Sequence, residues 1–400
     1  MIDKSGFTAI KTEMTNHDSF LLRLLAMSFF ADLAKDLPWQ ILSLARILDL
    51  AISQGVDAIA CDGLQVAYET IPEIAESLDR PENKSVKYDW FGQALSAEVK
   101  YDQQFKAAVE LGALWASHGI RPVVMKGFAY ARFYPIPQHR HCSDLDCYLF
   151  DRWEDGNALV EETGVEVRRG FYKNSSFTFK GLFVENHRFC SPVRGGKRRK
   201  EYELFLRELL ENGPLSPLEG TDFLCPPPMF DAVFFMSHAL NHFLNEGGIQ
   251  LRHVCDWGML MKAYTSVLDW DEFLANCDRF GLRKFAESMS RVARRVCGVE
   301  VPFECAGVAC AEARGEASEA EFSSPSEAPL SDADRALLEE ILNPTCVRVE
   351  FGKGWKTRWQ LIRATLKSGW KFRLFSDRSM LSSLLGSAWA FLFEREPDVE

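Results

Sequence analysis

The sequence predicts an α+β protein, with a small mixed β-sheet core at residues 120–200 between N-terminal and C-terminal helical regions. Three observations predict it. Residues 18–118 carry apolar side chains at helical spacing, residues 120–190 change to short β-branched and alternating runs, and helical spacing resumes after residue 200. A chain of 400 residues that is 47% hydrophobic can bury more than one lobe. The reading divides it into a helical region at 1–119, the α/β core at 120–200 and a helical lobe at 201–310. A flexible Ala/Ser/Glu-rich loop follows at 311–330, and basic, Trp-rich helices at 331–400.

In chain order, Asp18 or Ser19 caps a helix in FLLRLLAMSFFADLA, and a second follows Pro38 and closes at Gly55. A third covers Asp102–His118. RPVVMKG is a short strand ended by Lys-Gly, FAYARFY a short helix, and PIPQHRHCS a Pro-rich loop. LDCYLF reads as a strand, WEDGNALVEETG as a helix and VEVRR as strand-like. SSFTFKGLFVENHRFC reads as two strands joined at Lys180-Gly181. RGGKRRK (Arg194–Lys200) is a basic loop, and helices then recur to the end of the lobe.

The net charge of -11 argues against binding to long nucleic acid, where neutralising phosphates supplies the affinity. None of the eleven cysteines forms a CxxC pair, so a zinc ribbon is not expected and free thiols in a reducing cytoplasm are. The opening MIDKSGFTAIKTEMTNHD lacks the basic-then-apolar layout of a secretory leader, which also points to the cytoplasm. The uncharged stretch Ser379–Phe393 is shorter than the ~20 residues of a membrane span.

The chemistry concentrates in the core. Asp144 and Asp146 are two apart, so on a strand they share a face. Side-by-side carboxylates repel unless a cation lies between them, and Mg²⁺ takes such acids together with substrate phosphates. The plainer reading of an Asp-x-Asp pair is an acidic turn before a strand. Lys126-Gly127 supports the metal reading, since glycine lets a phosphate approach the backbone, a helix start favours an anion and Lys126 adds charge. Arg140 and Glu185 could turn toward the same cavity. By itself, Glu185 reads more plainly as a solvent-facing strand residue.

VVMKGFAYARFYPIPQHRHCSDLDCYLF resembles the signature of the uncharacterised nucleotidyltransferase family in the DNA polymerase β superfamily, through Lys126-Gly127, Tyr134-Pro135, Arg140 and Ser143-Asp144-Leu145-Asp146. Glu185 with His187, and then His238, His242, Arg252 and Asp256, fit the later elements of that pattern. The resemblance spans roughly residues 20–300, and Lys-Gly…Asp-Leu-Asp is its specific part. It implies a polymerase β-like core and an NMP transfer from an NTP to an acceptor hydroxyl, with release of pyrophosphate. Asp144, Asp146 and Glu185 would be catalytic and would hold Mg²⁺ or Mn²⁺, with Glu185 either a ligand or the general base. Glu201 and Glu203 are nearby alternatives for that third acid. Lys126, Gly127, Arg140 and Ser143 would bind the nucleotide. His187, His238, His242, Arg252 and Asp256 would line the pocket or brace it.

A small-molecule acceptor is the first expectation, ahead of a protein side chain or an RNA end. Two rival readings stand. His238 and His242 share a helix face and could hold a transition metal with His253 or Asp256, making a metal hydrolase. Alternatively, the chain keeps the fold as a weakly catalytic nucleotide-binding or regulatory protein. GKGWKTRWQLIRATLKSGWKFR (Gly352–Arg373) interleaves tryptophans with seven basic residues. Membrane contact through 352–393 is weighed against a helix packed on the protein, and packing is favoured.

Overall fold

The computed structural model describes residues 16–29, 43–169, 172–193, 196–245, 248–305, 330–344, 368–377 and 379–381. The N-terminal region is α1 (Asn16–Phe29), α2 (Leu44–Ser53), α3 (Asp57–Thr70), α4 (Pro72–Asp79) and α5 (Pro81–Ser117). The helix expected at 102–118 is only the last part of α5, which runs for 37 residues. Pro81 sits at the first helical position, where its missing N–H costs nothing. The polar stretch after it carries too weak an apolar stripe to announce a helix from sequence.

The sheet contains β1 (Val123–Val124), β2 (Leu145–Tyr148), β3 (Asn174–Phe179), β4 (Leu182–His187), β5 (Ser216–Pro217) and β6 (Leu224–Cys225). Its order is β3-β4-β2-β1-β6-β5. β2 runs parallel to β4 and antiparallel to β1, and β1 runs parallel to β6. Lys180 at φ 48° and Gly181 at φ 86° supply the two left-handed residues that a tight β3–β4 hairpin requires. The sheet extends beyond residue 200, where the sequence reading closed the core, because β6 adds to the edge of β1. β5 and β6 are two residues each, too short to show alternation. The strand expected at Val165–Arg169 reduces to one bridge between Arg168 and Ser176.

Between the strands lie α6 (Phe128–Ala131) and α7 (Trp153–Glu162). One sheet face packs on α5 and α7. It presents Leu145, Cys147, Val184 and Asn186, all fully buried. The Asn186 amide donates to the Trp153 carbonyl and to Asn157 Oδ1, both at 2.8 Å, and Trp115 Nε1 donates to the Gly156 carbonyl. The opposite face carries the acids.

The helical lobe is α8 (Lys197–Asn212), α9 (Pro228–Asn245), α10 (Leu251–Tyr264), α11 (Trp270–Phe280) and α12 (Arg283–Cys297). Lys197–Lys200, expected as a loop, instead open α8, and Arg198 donates to the Arg279 carbonyl at the C-terminal end of α11. A cation at a helix C-terminus is favourable, which offsets the poor placement of basic residues at the start of α8. Two C-terminal helices follow, α13 (Asp332–Leu342) and α14 (Gly369–Phe375). Asp334 holds α13 to α12 through Arg291 and Ser288. Lys371 on α14 is buried, pairs with Glu340 at 2.8 Å and donates to the Phe243 carbonyl. The expected loop at 311–329 and most of the basic, Trp-rich segment lie outside the described residues. Among the described residues no helix is long and apolar enough to cross a membrane.

α1 and α3 meet at Gly63, where an added Cβ would lie 1.9 Å from the Leu24 carbonyl oxygen. Alanine inside a helix normally gains up to about 1 kcal/mol over glycine. Here overpacking against rigid backbone opposes that gain and costs about 1–3 kcal/mol or more. Gly63→Ala is therefore expected to lower stability in urea denaturation, and an unchanged midpoint would contradict the close approach.

Candidate active site

The acids are assembled by strand register. Asp144 immediately precedes β2 and Asp146 lies within it, and both reach Lys126 Nζ, at 3.6 Å and 3.0 Å. The period of two along a strand thus puts them on one side, with Leu145 and Cys147 turned into the core. The parallel β2–β4 pairing aligns Asp146 with Glu185 and Tyr148 with His187. His187 Nε2 lies 3.0 Å from Asp146 Oδ1 and 3.4 Å from Glu185 Oε2, so both β4 side chains share the face of Asp146.

Lys126 follows β1, and the Met125 N–H donates to the Asp146 carbonyl, which holds the end of β1 against the start of β2. Gly127 then turns at φ 70°, and a Cβ there would come within 3.1 Å of the Asp144 carbonyl oxygen. Both the left-handed backbone and the close approach call for glycine. The helix it opens, α6, is a single turn.

Electrostatics follow from burial. Burial alone would push the Lys126 ammonium down, but Asp146 and Asp144 outweigh it and hold its pKa above the lysine range. Burial would likewise raise the Asp146 carboxyl, but Lys126 and His187 hold it well below the carboxylate range. A hydrogen bond from His187 is the main cause of the lowered Glu185 carboxyl. All three groups are therefore charged at neutral pH.

The donor set fits a divalent cation. Asp146, Glu185 and His187 each offer one ligand atom within 4.8 Å of the others. Asp146 Oδ2 is buried and accepts no aligned hydrogen bond, although Lys126 Nζ is 3.0 Å away, so that contact is ionic rather than directed. His187 Nδ1 faces the Phe189 carbonyl at 3.2 Å, an acceptor, while Nε2 faces two carboxylates. With Nδ1 turned to that carbonyl, Nε2 is the nitrogen that meets the acids: it bonds to their carboxylates here and would be the ligand atom once a cation lay between them. The sequence reading gives His187 as a pocket or bracing residue; its position two after Glu185 puts it on the same strand face.

A cavity of about 560 Å³ adjoins this cluster. Lys126, Gly127, Ser143 and Asp144 form one end, and Tyr130, Phe234, His238, His242 and His253 line a wall. Ser53, Gln54, Ile341, Leu342 and Pro344 contribute from α2 and the end of α13. No local pattern in the sequence marks this last group, since only long-range packing delivers it. Gln54 fixes the junction: its side chain donates to the Ile341 carbonyl and accepts from the Leu251 N–H.

Arg140 departs from the expected phosphate-binding role. Its Nε and Nη2 donate to Asp256 at 3.0 Å and 2.7 Å, and its Nη1 donates to the His141 carbonyl, so each guanidinium nitrogen already makes a hydrogen bond. Asp256 also accepts from Tyr134, and the pair ties the loop before β2 to α10. Ser143 donates to Asp144 at 2.9 Å. Glu203 is not a third acid, because it is buried and accepts from the Cys190 and Ser191 amides and from Arg207. Glu201 pairs with Lys197.

The histidines do not gather as a second metal centre. Among the described residues only Asp146, Glu185 and His187 form a converging ligand group. The His238 and His242 rings lie 4.4 Å apart, and His238 stacks on Phe234. His253 Nδ1 accepts from the Gln250 N–H and caps α10. Burial, then Lys126, pushes His238 well below the histidine range, and burial, then Arg252, pushes His253 down to about 3. Both are neutral rings in the cavity wall.

Two outcomes are expected. Arg140→Met strands the buried Asp256 charge and should cost about 3–5 kcal/mol in urea denaturation. Adding Asp256→Asn should recover part of that loss, and strict additivity would show the pair to be uncoupled. The second concerns pH. His253 is held at about 3 in the fold, against an ordinary 6.5, so between these values the unfolded chain binds the extra proton. Its stabilising effect is complete above pH 6.5 and is lost as pH falls, at up to about 1.4 kcal/mol per pH unit. His253→Gln should flatten the fall in stability from pH 6.5 to 5; an unchanged slope would exclude this residue as its source.

The model of the uncharacterised nucleotidyltransferase family matches residues 43–298, which span the sheet, the acids and the cavity wall from α9 and α10. No curated protein and no solved structure matches the chain. With more than half its length matched, including the Lys-Gly turn, the acidic strand and the Arg140–Asp256 brace, the chain belongs to the uncharacterised nucleotidyltransferase family.

Proposed function

We propose that the protein is a divalent-metal-dependent nucleotidyltransferase with a polymerase β-like core, moving an NMP from an NTP to a hydroxyl of a small-molecule acceptor. The observation that carries this reading is the convergence of Asp146, Glu185 and His187, with Asp144 and Lys126 beside them at the mouth of a nucleotide-sized cavity. Asp144, Asp146, Glu185 and His187 would hold Mg²⁺ or Mn²⁺, which when bound supplies positive charge to the phosphates and to the attacking oxygen.

In the transfer, the acceptor oxygen forms a bond to the α-phosphorus while the bond to the β-phosphate oxygen breaks, and pyrophosphate leaves. The hydroxyl proton is released to water. Glu185 is half-buried with a lowered carboxyl pKa, which makes it a weak base and suits it better to a ligand role. Lys126 neutralises Asp144 and Asp146, and its ammonium is placed to turn toward a phosphate when a cation takes over that task. The positive φ of Gly127 leaves its backbone unobstructed at the cavity edge. The aromatic and neutral imidazole wall from Tyr130 to His253 suits a base or another flat apolar group.

The test is incubation with each labelled NTP, Mg²⁺ and cell extract. Wild type should give labelled product and pyrophosphate. Asp146→Ala should reduce both by at least about 100-fold. Equal product from the two proteins would end the proposal. Lys126→Ala should mainly raise KM for the NTP; an unchanged KM with a collapsed kcat would assign it a different role.

A further inference from the structure

The charges around Asp256 do not balance. Arg140 and Arg252 both donate to the His141 carbonyl, Arg252 through Nη1 at 2.8 Å, so two guanidinium groups converge on one oxygen. Asp256 is the carboxylate between them, and Arg140 and Tyr134 take up its oxygens. Among the described residues Arg252 has no carboxylate partner, and its Nε is buried with no hydrogen bond. Burial and then Arg140 act against its charge, and the nearby Asp256 and Asp144 offset them only in part, so its pKa lies below the arginine range.

Arg252 is also the second residue of α10, where the positive end of the helix disfavours a cation. Its stem lies over Gly55, where an added Cβ would meet it at 3.7 Å, and it lines the cavity. Tyr130 lines the same cavity, and its buried hydroxyl has no hydrogen-bond partner among the described residues. The nearby His238 and His253 are neutral and cannot compensate a cation. A half-buried cation without a carboxylate partner and a donor without an acceptor in one cavity call for the same chemistry, an anionic oxygen.

We propose that Arg252, assisted by the Tyr130 hydroxyl, is an oxyanion-binding subsite of this cavity, separate from the acids at its mouth, which receives a phosphate-type group of the substrate. This deepens the nucleotidyl-transfer reading and rests on it. The group has two chemical sources, the polyphosphate tail of the nucleotide or an anionic group on the acceptor.

The test is calorimetric titration of the full chain with inorganic pyrophosphate in EDTA, with NTP and Mg²⁺, and with inorganic phosphate added to protein saturated with a non-hydrolysable NTP. Arg252→Gln should weaken the affected ligand about 10- to 100-fold. Arg252→Lys should retain most of the binding. Tyr130→Phe removes an oxygen that has no partner, so it should leave the fold intact and weaken the same ligand about 3- to 10-fold. Loss confined to pyrophosphate and NTP assigns the subsite to the nucleotide tail, and loss confined to added phosphate assigns it to the acceptor. Wild-type affinity for all three ligands in both Arg252→Gln and Tyr130→Phe would overturn the proposal. Pyrophosphate binding in EDTA needs no turnover, so failure of the catalytic reading, judged by Asp146→Ala, is read separately.

Discussion

A buried carboxylate governs the architecture of this site. Asp146 is 2% exposed, and an ionised carboxylate at that depth persists only with compensation on both oxygens. Three strands supply it. β2 carries the acid, the end of β1 brings Lys126 to Oδ2, and β4 brings His187 to Oδ1. The strand order β4-β2-β1 is what allows both partners to reach the same residue. Because β2 and β4 run parallel in fixed register, Glu185 arrives with His187, and the compensating group becomes a set of metal ligands. The requirement for charge balance and the capacity to hold a cation have the same origin.

The second constraint lies between the sheet and the helices. Arg140 and Asp256 bind the loop before β2 to α10 in a buried, bidentate pair. That contact fixes the distance between the acids and the wall formed by α9 and α10, and so defines the cavity. The end of α2 and the end of α13 also line the cavity, and Gln54 links α2, α10 and α13 by hydrogen bonds. The cavity is therefore built from distant segments, with Gln54 and Ile341 separated by 287 positions in the chain.

Much of the core was legible because it is local. The Asp144/Asp146 spacing gives a shared face on a strand, Lys180-Gly181 gives a tight hairpin, and Gly127 marks a turn where a side chain would not fit. The errors arose where a residue's role depends on a distant partner. Arg140 and Arg252 look alike in sequence, yet Asp256 engages the first, while the second has, among the described residues, a carbonyl as its hydrogen-bond acceptor. Glu203 was a reasonable third acid until its carboxylate was found to accept the Cys190 and Ser191 amides. The histidines at 238 and 242 do share a helix face, as their spacing requires, but among the described residues they join no converging ligand group, and they line the cavity.

The sequence by itself determined the α+β division, the acidic strand, the Lys-Gly turn and the hairpin that carries Glu185. Each of these follows from steric and periodic rules acting within a few residues. Only the tertiary structure decided which acid joins Asp146, which arginine is left with a net positive charge and which distant helices complete the cavity. Those outcomes depend on strand register and helix packing between remote segments, and they are set by the balance of buried charges rather than by local spacing.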